Sequence, residues 1–157
     1  MFRKILYPTD FSDCAVKALE YVKKLKEAGT EEVVIVHVMD VRGIAITTTG
    51  VAWSGEETAL SYEGEREVQE MMKTNIEKKL EELKTEIEAV GLKVSVKAVE
   101  GTPFREILKI AGDEDVSLIA IGSHGKSNIM EKLLGSVSEK VIRDSKRPVL
   151  VVKRDPI

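Results

Sequence analysis

The sequence predicts a single doubly wound α/β domain over residues 1–157, with a five-stranded parallel sheet in the order 3-2-1-4-5 and helices on both faces. Two observations support this fold class. Five short runs rich in valine and isoleucine alternate with segments of helical periodicity, which is typical of a parallel sheet joined by helices. Three of these runs are nearly continuous in apolar residues, as expected of strands buried on both faces.

The predicted strands are the five apolar runs, taken in chain order. They are Lys4 to Tyr7, Val33 to Met39, Leu92 to Val99, Ser117 to Ile121 and Pro148 to Val152. The second, fourth and fifth are the nearly continuous runs. A chain of 157 residues that forms these strands and the helices between them can bury a sizeable core.

Four helices are predicted, over residues 12–28, 61–90, 103–111 and 136–144. The first carries one apolar face, made of Ala15, Ala18, Leu19, Val22 and Leu25. The second carries a long stripe that we assign to the core, made of Val68, Met72, Ile76, Leu80, Leu83, Ile87 and Val90. Gly91 follows as a C-terminal stop. Residues 40–60 show no such pattern and are predicted to be a long loop, either a functional lid or mobile.

Short polar motifs predict the starts of the last two helices. Thr102 followed by Pro103 is typical of an N-cap and a first helical position. Ser136 and Glu139 form the S-x-x-E pattern of a capping box. Both motifs therefore place a helix directly after a predicted loop.

Composition argues against several classes of protein. The formal net charge is −3, from 27 acidic and 24 basic side chains, so no nucleic acid is expected as a partner. The single cysteine, Cys14, excludes an internal disulfide and a C-x-x-C site, and we expect it on a buried helix face. The chain has no apolar run long enough to span a bilayer and no signal pattern, so we expect a cytoplasmic protein without membrane contact.

The segment GSHGKSNIMEKLLGS, residues 122–136, contains three glycines where the fold predicts a ligand crevice. In a doubly wound sheet, ligands bind outside the carboxyl ends of the strands, where the strand order reverses. That point lies between the first strand, which ends in YPTD at residues 7–10, and the fourth, which ends at Gly122. Glycine at positions 122 and 125 would let the backbone approach a ligand closely and adopt φ > 0.

The far end of this segment suits a phosphate group. Gly135 and Ser136 precede a helix whose first amides have no intrahelical partner, and the helix dipole adds partial positive charge there. Ser136 and Ser138 could add hydroxyl donors. The structural alternative is that Gly135 ends a short helix over residues 128–134 and Ser136 only caps the next one. Lys126 has two readings as well, a phosphate contact or a solvated loop side chain.

Two familiar phosphate-binding motifs do not fit the segment. A P-loop would need a glycine at Ala120, and the dinucleotide fingerprint would need one at His124. The spacing that does fit is G-x2-G-x9-G-S, and it resembles the universal stress protein family, specifically its ATP-binding branch. YPTD after the first strand and PVLVVK near the end of the chain add to the resemblance, which covers almost the whole chain in order. Residues 40–60 are the least typical part.

The resemblance implies a role for each residue around the crevice. Pro8, Thr9 and Asp10 would line the adenosine pocket, and Val38 would meet adenine through its backbone. Gly122, His124 and Gly125 would wrap the ribose and the α-phosphate. The phosphates would be bound by Gly135, Ser136, Val137 and Ser138. A Mg²⁺ or Mn²⁺ ion would be held through the phosphates of ATP.

Two of the residues near the crevice have plainer interpretations. Asp10 is also a good N-cap for the first helix and could serve both purposes. His37 lies in a predicted strand, so we expect a core or pocket-edge residue whose hydrogen bonds are satisfied within the protein.

The motif supplies binding rather than chemistry. No acid, base or arginine finger for hydrolysis is evident, and Arg105 and Arg143 are expected to face solvent. The resemblance therefore implies an ATP-binding regulatory protein of the stress response with at most slow hydrolysis. Two alternatives stay open: a nucleotide-free interaction module of the same fold, and an α/β enzyme acting on another adenylate-containing molecule. If the last strand, Val149 to Val152, is the sheet edge, we expect it to pair with its copy in a homodimer.

Overall fold

The computed structural model describes residues 1–40, 62–126 and 134–155. Its strands are β1 (Lys4–Pro8), β2 (Glu32–Asp40), β3 (Lys93–Gly101), β4 (Leu118–Gly122) and β5 (Val149–Val152). They form one parallel sheet in the order β3-β2-β1-β4-β5, which confirms the predicted fold class and strand order. The strand ends differ from the prediction by no more than two residues.

Four α-helices flank the sheet within the described ranges. They are α1 (Asp13–Lys24), α2 (Tyr62–Ala89), α3 (Pro103–Asp113) and α4 (Ser136–Asp144). The first helix ends earlier than predicted, because its last turn, Leu25–Ala28, tightens into a 3-10 helix. Residues 41–61 and 127–133 lie outside the described residues, and with them the predicted long loop and the alternative short helix.

Side chains alternate between the two faces of the sheet and build two cores, one under each helical layer. On one face, Tyr7 lies in a buried cluster with Leu19 of α1 and Ile87 of α2. On the other face, Leu6 lies in a cluster with Ile107 of α3 and Val141 of α4. The prediction of helices on both faces is therefore confirmed. In the ranges that the structure describes, every helix is too short or too polar to cross a membrane.

The apolar stripe of α2 divides into a buried half and an exposed half. Leu80 and Ile87 are buried in the core as predicted, whereas Val68 and Met72 are 57% and 61% exposed. The assignment of the whole stripe to the core is therefore wrong for its N-terminal half. Those turns line an open cavity at the carboxyl ends of the strands instead of packing on the sheet.

Two of the predicted helix caps are displaced by one or two residues. The cap of α1 is Ser12, whose Oγ accepts a hydrogen bond from the Ala15 amide at 3.3 Å, so the prediction that Asp10 caps this helix is wrong. At α4 the cap position is Gly135, and Ser136 is already helical, so the predicted capping box is also wrong. Thr102 does occupy the cap position of α3, without a side-chain hydrogen bond.

Glu114, directly after α3, joins that helix to two strands through ion pairs. Its carboxylate lies 2.8 Å from Nζ of Lys4 in β1 and 2.8 Å from Nζ of Lys97 in β3. Hydrogen bonds from Lys4 and then Lys97 lower the pKa of this carboxyl from 4.5 to about 2.

We expect Glu114 to make folding stability fall as the pH drops from about 4.5 towards 2. A carboxyl whose pKa is lower in the folded state stabilises the fold fully above its unfolded pKa and loses that contribution as the pH falls through the folded value. Because the side chain is 23% exposed, solvent screening keeps the contribution small. Urea unfolding of the unmutated protein and Glu114→Gln across this pH range checks the prediction, and parallel pH curves for the two proteins would contradict it.

Candidate binding site

A cavity of about 2010 Å³ opens between the carboxyl ends of the strands and the N-terminal half of α2. All the residues predicted to bind a ligand line it: Pro8, Thr9, Asp10, Val38, Gly122, His124, Gly125, Gly135, Ser136, Val137 and Ser138. Its position follows from the topology. β1 and β4 are neighbours in the sheet. The helix that follows β1, α1, packs on one face of the sheet, and the helix that follows β4, α4, packs on the other. A crevice therefore forms between the chain segments that leave the carboxyl ends of these two strands.

Asp10 links the end of β1 to the turn after β4 across this crevice. Its Oδ1 accepts a hydrogen bond from the Ser12 amide at 3.0 Å, and its Oδ2 accepts one from the Lys126 amide at 3.1 Å. The carboxylate therefore holds the backbone on both sides of the cavity. This role was not foreseen from the sequence, because the two ends of the link are 116 residues apart.

Phe11, between Asp10 and α1, has a backbone conformation that large side chains rarely adopt. Its φ is 62°, in the left-handed region. A hydrogen bond from its amide to Thr9 Oγ1, 3.1 Å long, stabilises the turn. Strained backbone of this kind concentrates at binding sites, where the surrounding structure holds it in place.

The three motif glycines serve close packing between segments of the chain. A Cβ on Gly122 would lie 2.9 Å from the backbone carbonyl carbon of Cys14, and one on Gly135 would lie 3.3 Å from the carbonyl oxygen of Ser123. A Cβ on Gly125 would lie 2.6 Å from Oδ2 of Asp10. Gly122 and Gly125 do not adopt the positive φ that glycine would allow there, since the described glycines with positive φ lie elsewhere in the chain.

The N-terminus of α4 is fastened to the end of β4 by a buried hydrogen-bond network. The carbonyl oxygen of Ser123 accepts from the Gly135 amide at 2.7 Å and from the Ser138 hydroxyl at 2.7 Å. The Ser138 hydroxyl also lies 2.9 Å from the carbonyl oxygen of Gly135, and its side chain is buried. Its one proton is thus engaged within the protein, so Ser138 holds the helix end in place and offers no hydroxyl donor to a ligand.

The first turn of α4 leaves backbone amides available at the cavity. The first intrahelical bond runs from the Glu139 amide to the Gly135 carbonyl, so the amides of residues 136–138 precede it. Ser136 is exposed and lines the cavity. These amides and the positive end of the helix dipole favour an anion at this position.

Ser138→Ala is expected to lower the free energy of unfolding by about 1–3 kcal/mol, because a buried hydrogen bond is lost and two carbonyl groups lose a donor. Ser136→Ala is the matched control. Its side chain is exposed, and we expect a change within about 0.5 kcal/mol. Urea denaturation of both variants measures the difference, and equal effects would contradict the assigned role of Ser138.

Cationic side chains that the sequence reasoning did not select also line the cavity. Arg66 and Lys73 of α2 lie seven residues apart, which places them on one face of the helix. The signal that could have found Arg66 and Lys73 is the helical spacing of charges beside the exposed half of the apolar stripe. Lys126, for which the sequence left a phosphate contact and a solvated side chain open, lines the cavity from the turn after β4.

The comparisons with known proteins agree with this fold. The chain matches the universal stress protein family over residues 1–153. It is 46% identical over 157 residues to universal stress protein MJ0577 of Methanocaldococcus jannaschii, a match that covers 98% of this chain and 96% of that protein. The solved structure of MJ0577 superposes with a TM-score of 0.84 at 44% identity, covering 100% of this chain and 99% of that one.

Two more distant structures contain adenine nucleotides. A universal stress protein in complex with cAMP is 22% identical, with a TM-score of 0.62 and 97% coverage of both chains. A universal stress protein from Archaeoglobus fulgidus in complex with dAMP is 19% identical, with a TM-score of 0.56 and 98% coverage of both chains. At these identities the likeness extends to the fold alone.

Proposed function

Since the chain belongs to the universal stress protein family, we propose that it is an ATP-binding regulatory protein with at most slow ATP hydrolysis. One observation carries the proposal: a single cavity is lined both by the ends of β1 and β2 and by the free amides of α4. This arrangement offers a nucleoside a largely apolar recess and offers the phosphates a helix N-terminus. The cAMP and dAMP complexes of the two distant proteins support an adenine nucleotide as the class of ligand.

The residues divide between the two ends of the ligand. Pro8, Thr9, Asp10 and Val38 would contact the adenosine. Gly122, His124 and Gly125 would contact the ribose and the α-phosphate. The remaining phosphates would meet the amides of Ser136, Val137 and Ser138, beside Gly135 at the cap position of α4. Within the described residues no group of three or more His, Cys, Asp or Glu side chains is arranged for a metal, so Mg²⁺ or Mn²⁺ would be held through the phosphates.

The surroundings of Arg105 and Arg143 support slow hydrolysis. The Arg105 guanidinium lies over the Phe104 ring, 5.7 Å from its centroid, and Nε of Arg143 lies 3.1 Å from Asp144. Neither arginine is among the cavity-lining residues. Neither Arg105 nor Arg143 could therefore act as an arginine finger on a nucleotide bound in this cavity.

A homodimer through β5 is the second part of the proposal. β5 is at the edge of the sheet and pairs with β4 on one side. Three of its four residues are only partly buried in the single chain. Pairing Val149–Val152 with the same strand of a second copy would give hydrogen-bond partners to the unpaired backbone groups of this edge strand. It would also bury the side chains. Light scattering at micromolar concentration should return a dimer, and a monomer would count against this arrangement.

Calorimetric titration of nucleotide-stripped protein tests the proposed function. We expect ATP with Mg²⁺ to bind with a dissociation constant of about 1 μM or tighter, and hydrolysis to stay below roughly 1 s⁻¹. Competition with AMP and cAMP separates an ATP-binding protein from an enzyme acting on another adenylate. Failure of all three nucleotides to bind would contradict the proposal and favour an interaction module without nucleotide.

A further inference from the structure

His37, near the end of β2, has one ring nitrogen engaged with the protein. Nδ1 lies 2.9 Å from the carbonyl oxygen of Thr9. A carbonyl oxygen only accepts hydrogen bonds, so Nδ1 carries the proton and donates it. Burial lowers the pKa of His37 below its usual value of 6.5, although the hydrogen bond to the Thr9 carbonyl acts to raise it. The ring is therefore neutral near pH 7. In a neutral imidazole with a protonated Nδ1, Nε2 is an acceptor.

The orientation of this ring is fixed by its neighbours. The Phe11 ring packs against it with centroids 4.9 Å apart and an interplanar angle of 34°. On Phe11 in turn lies Nζ of Lys79, 5.3 Å from the ring centroid. Turning the imidazole over would break the bond to Thr9, so the two nitrogens are not interchangeable.

Nε2 lies at the accessible edge of the ring. His37 is 8% exposed and lines the cavity. In the described part of the chain, every buried side-chain nitrogen or oxygen has a hydrogen-bond partner, and the bond of the His37 ring to the protein is made by Nδ1. Nε2 is therefore open to the cavity, with its lone pair available to a ligand.

We propose that Nε2 of His37 determines ligand specificity by accepting a hydrogen bond from the nucleoside part of the ligand, either a ribose hydroxyl or the 6-amino group of adenine. This inference rests on the proposed function. An unprotonated nitrogen repels phosphate oxygens, which are acceptors too, so it selects the nucleoside end. A ligand without the donor leaves Nε2 unpaired and binds less tightly.

Calorimetric titrations with three analogues identify the donor. They are 2′-deoxy-ATP, 3′-deoxy-ATP and purine riboside triphosphate, each of which lacks one donor of ATP. We expect the unmutated protein to bind one of them roughly 5- to 10-fold more weakly than ATP because a single hydrogen bond is lost. Any loss of affinity for the other two analogues arises from other contacts to the nucleoside and should be the same in the His37 variants.

Two variants of His37 connect this loss to Nε2. In His37→Asn the side-chain amide nitrogen takes the place of Nδ1 and no group replaces Nε2. This variant should therefore bind ATP no more tightly than the analogue that the unmutated protein binds more weakly. In His37→Gln the amide oxygen Oε1, an acceptor, can take the place of Nε2, and the difference should be retained. Thermal unfolding of both variants checks that the fold is kept.

The outcomes separate this inference from the proposed function. For each analogue, the loss of affinity relative to ATP is compared between the unmutated protein and His37→Asn. If the loss is the same in both proteins for every analogue, Nε2 accepts no hydrogen bond from the ligand. The inference is then wrong while the proposed function stands. If no adenine nucleotide binds at all, both fail. A ¹⁵N imidazole spectrum of the free protein with the His37 proton on Nε2 would overturn the inference without any ligand.

Discussion

Ser136→Pro is expected to weaken ATP binding by about 10-fold or more, because it removes one backbone amide from the proposed phosphate site and with it a hydrogen bond to a charged group. Ser136 is the first residue of α4, where proline is well tolerated and no intrahelical bond is lost. Gly135 before it has φ −72° and ψ 159°, the extended conformation that a residue preceding proline prefers. The fold should therefore be kept.

The control for this variant is Ser136→Ala, which keeps the amide and removes the hydroxyl. We expect it to change the affinity for ATP by no more than about 3-fold, the effect of losing at most one weak neutral hydrogen bond. Calorimetry gives both affinities, and thermal unfolding shows whether the proline variant is folded. Full ATP affinity in folded Ser136→Pro would mean that the phosphates lie away from the N-terminus of α4.

Gly122→Ala is expected to lower the free energy of unfolding by about 1–3 kcal/mol or more. The added Cβ would lie 2.9 Å from the backbone carbonyl carbon of Cys14, and backbone cannot move aside as a flexible side chain can. Relief requires α1 to shift away from β4, which would disturb the core that α1 shares with the sheet.

Gly112→Ala is the matched control for that substitution. Gly112 lies inside α3, and a Cβ added there meets no atom within 4 Å. Alanine is the better helix former, so this variant should gain about 0.5–1 kcal/mol. Urea denaturation measures both, and a Gly122→Ala protein as stable as the unmutated one would contradict the close approach of α1 to β4.

The sheet could be predicted from sequence because burial on both faces leaves continuous apolar runs, and the crevice followed from the strand order. Which atoms each residue contacts was harder to predict from the sequence. Periodicity showed that α2 has an apolar face, but Val68 and Met72 line the cavity while Leu80 lies in the core. A helical pattern indicates which residues share a face, and it does not indicate what that face meets.

Contacts between distant segments explain the other differences. The sequence suggested that Ser138 offers a hydroxyl to phosphate, but the Ser123 carbonyl, 15 residues away, already accepts that proton. The cap of α1 moved from Asp10 to Ser12 because both residue types cap helices and the choice depends on local geometry. Asp10 instead bridges to the Lys126 amide, a contact set by the tertiary fold.

The most direct test of the phosphate site is an NMR titration of ¹⁵N-labelled protein with ATP and Mg²⁺, compared with the same titration using adenosine. We expect ATP to shift the amide resonances of Ser136 and Val137 strongly and adenosine to leave them nearly unchanged, because in the proposed arrangement the nucleoside alone does not reach the first turn of α4. ATP binding that leaves both amides unshifted, or adenosine shifts as large as those of ATP, would contradict a phosphate site at the N-terminus of this helix.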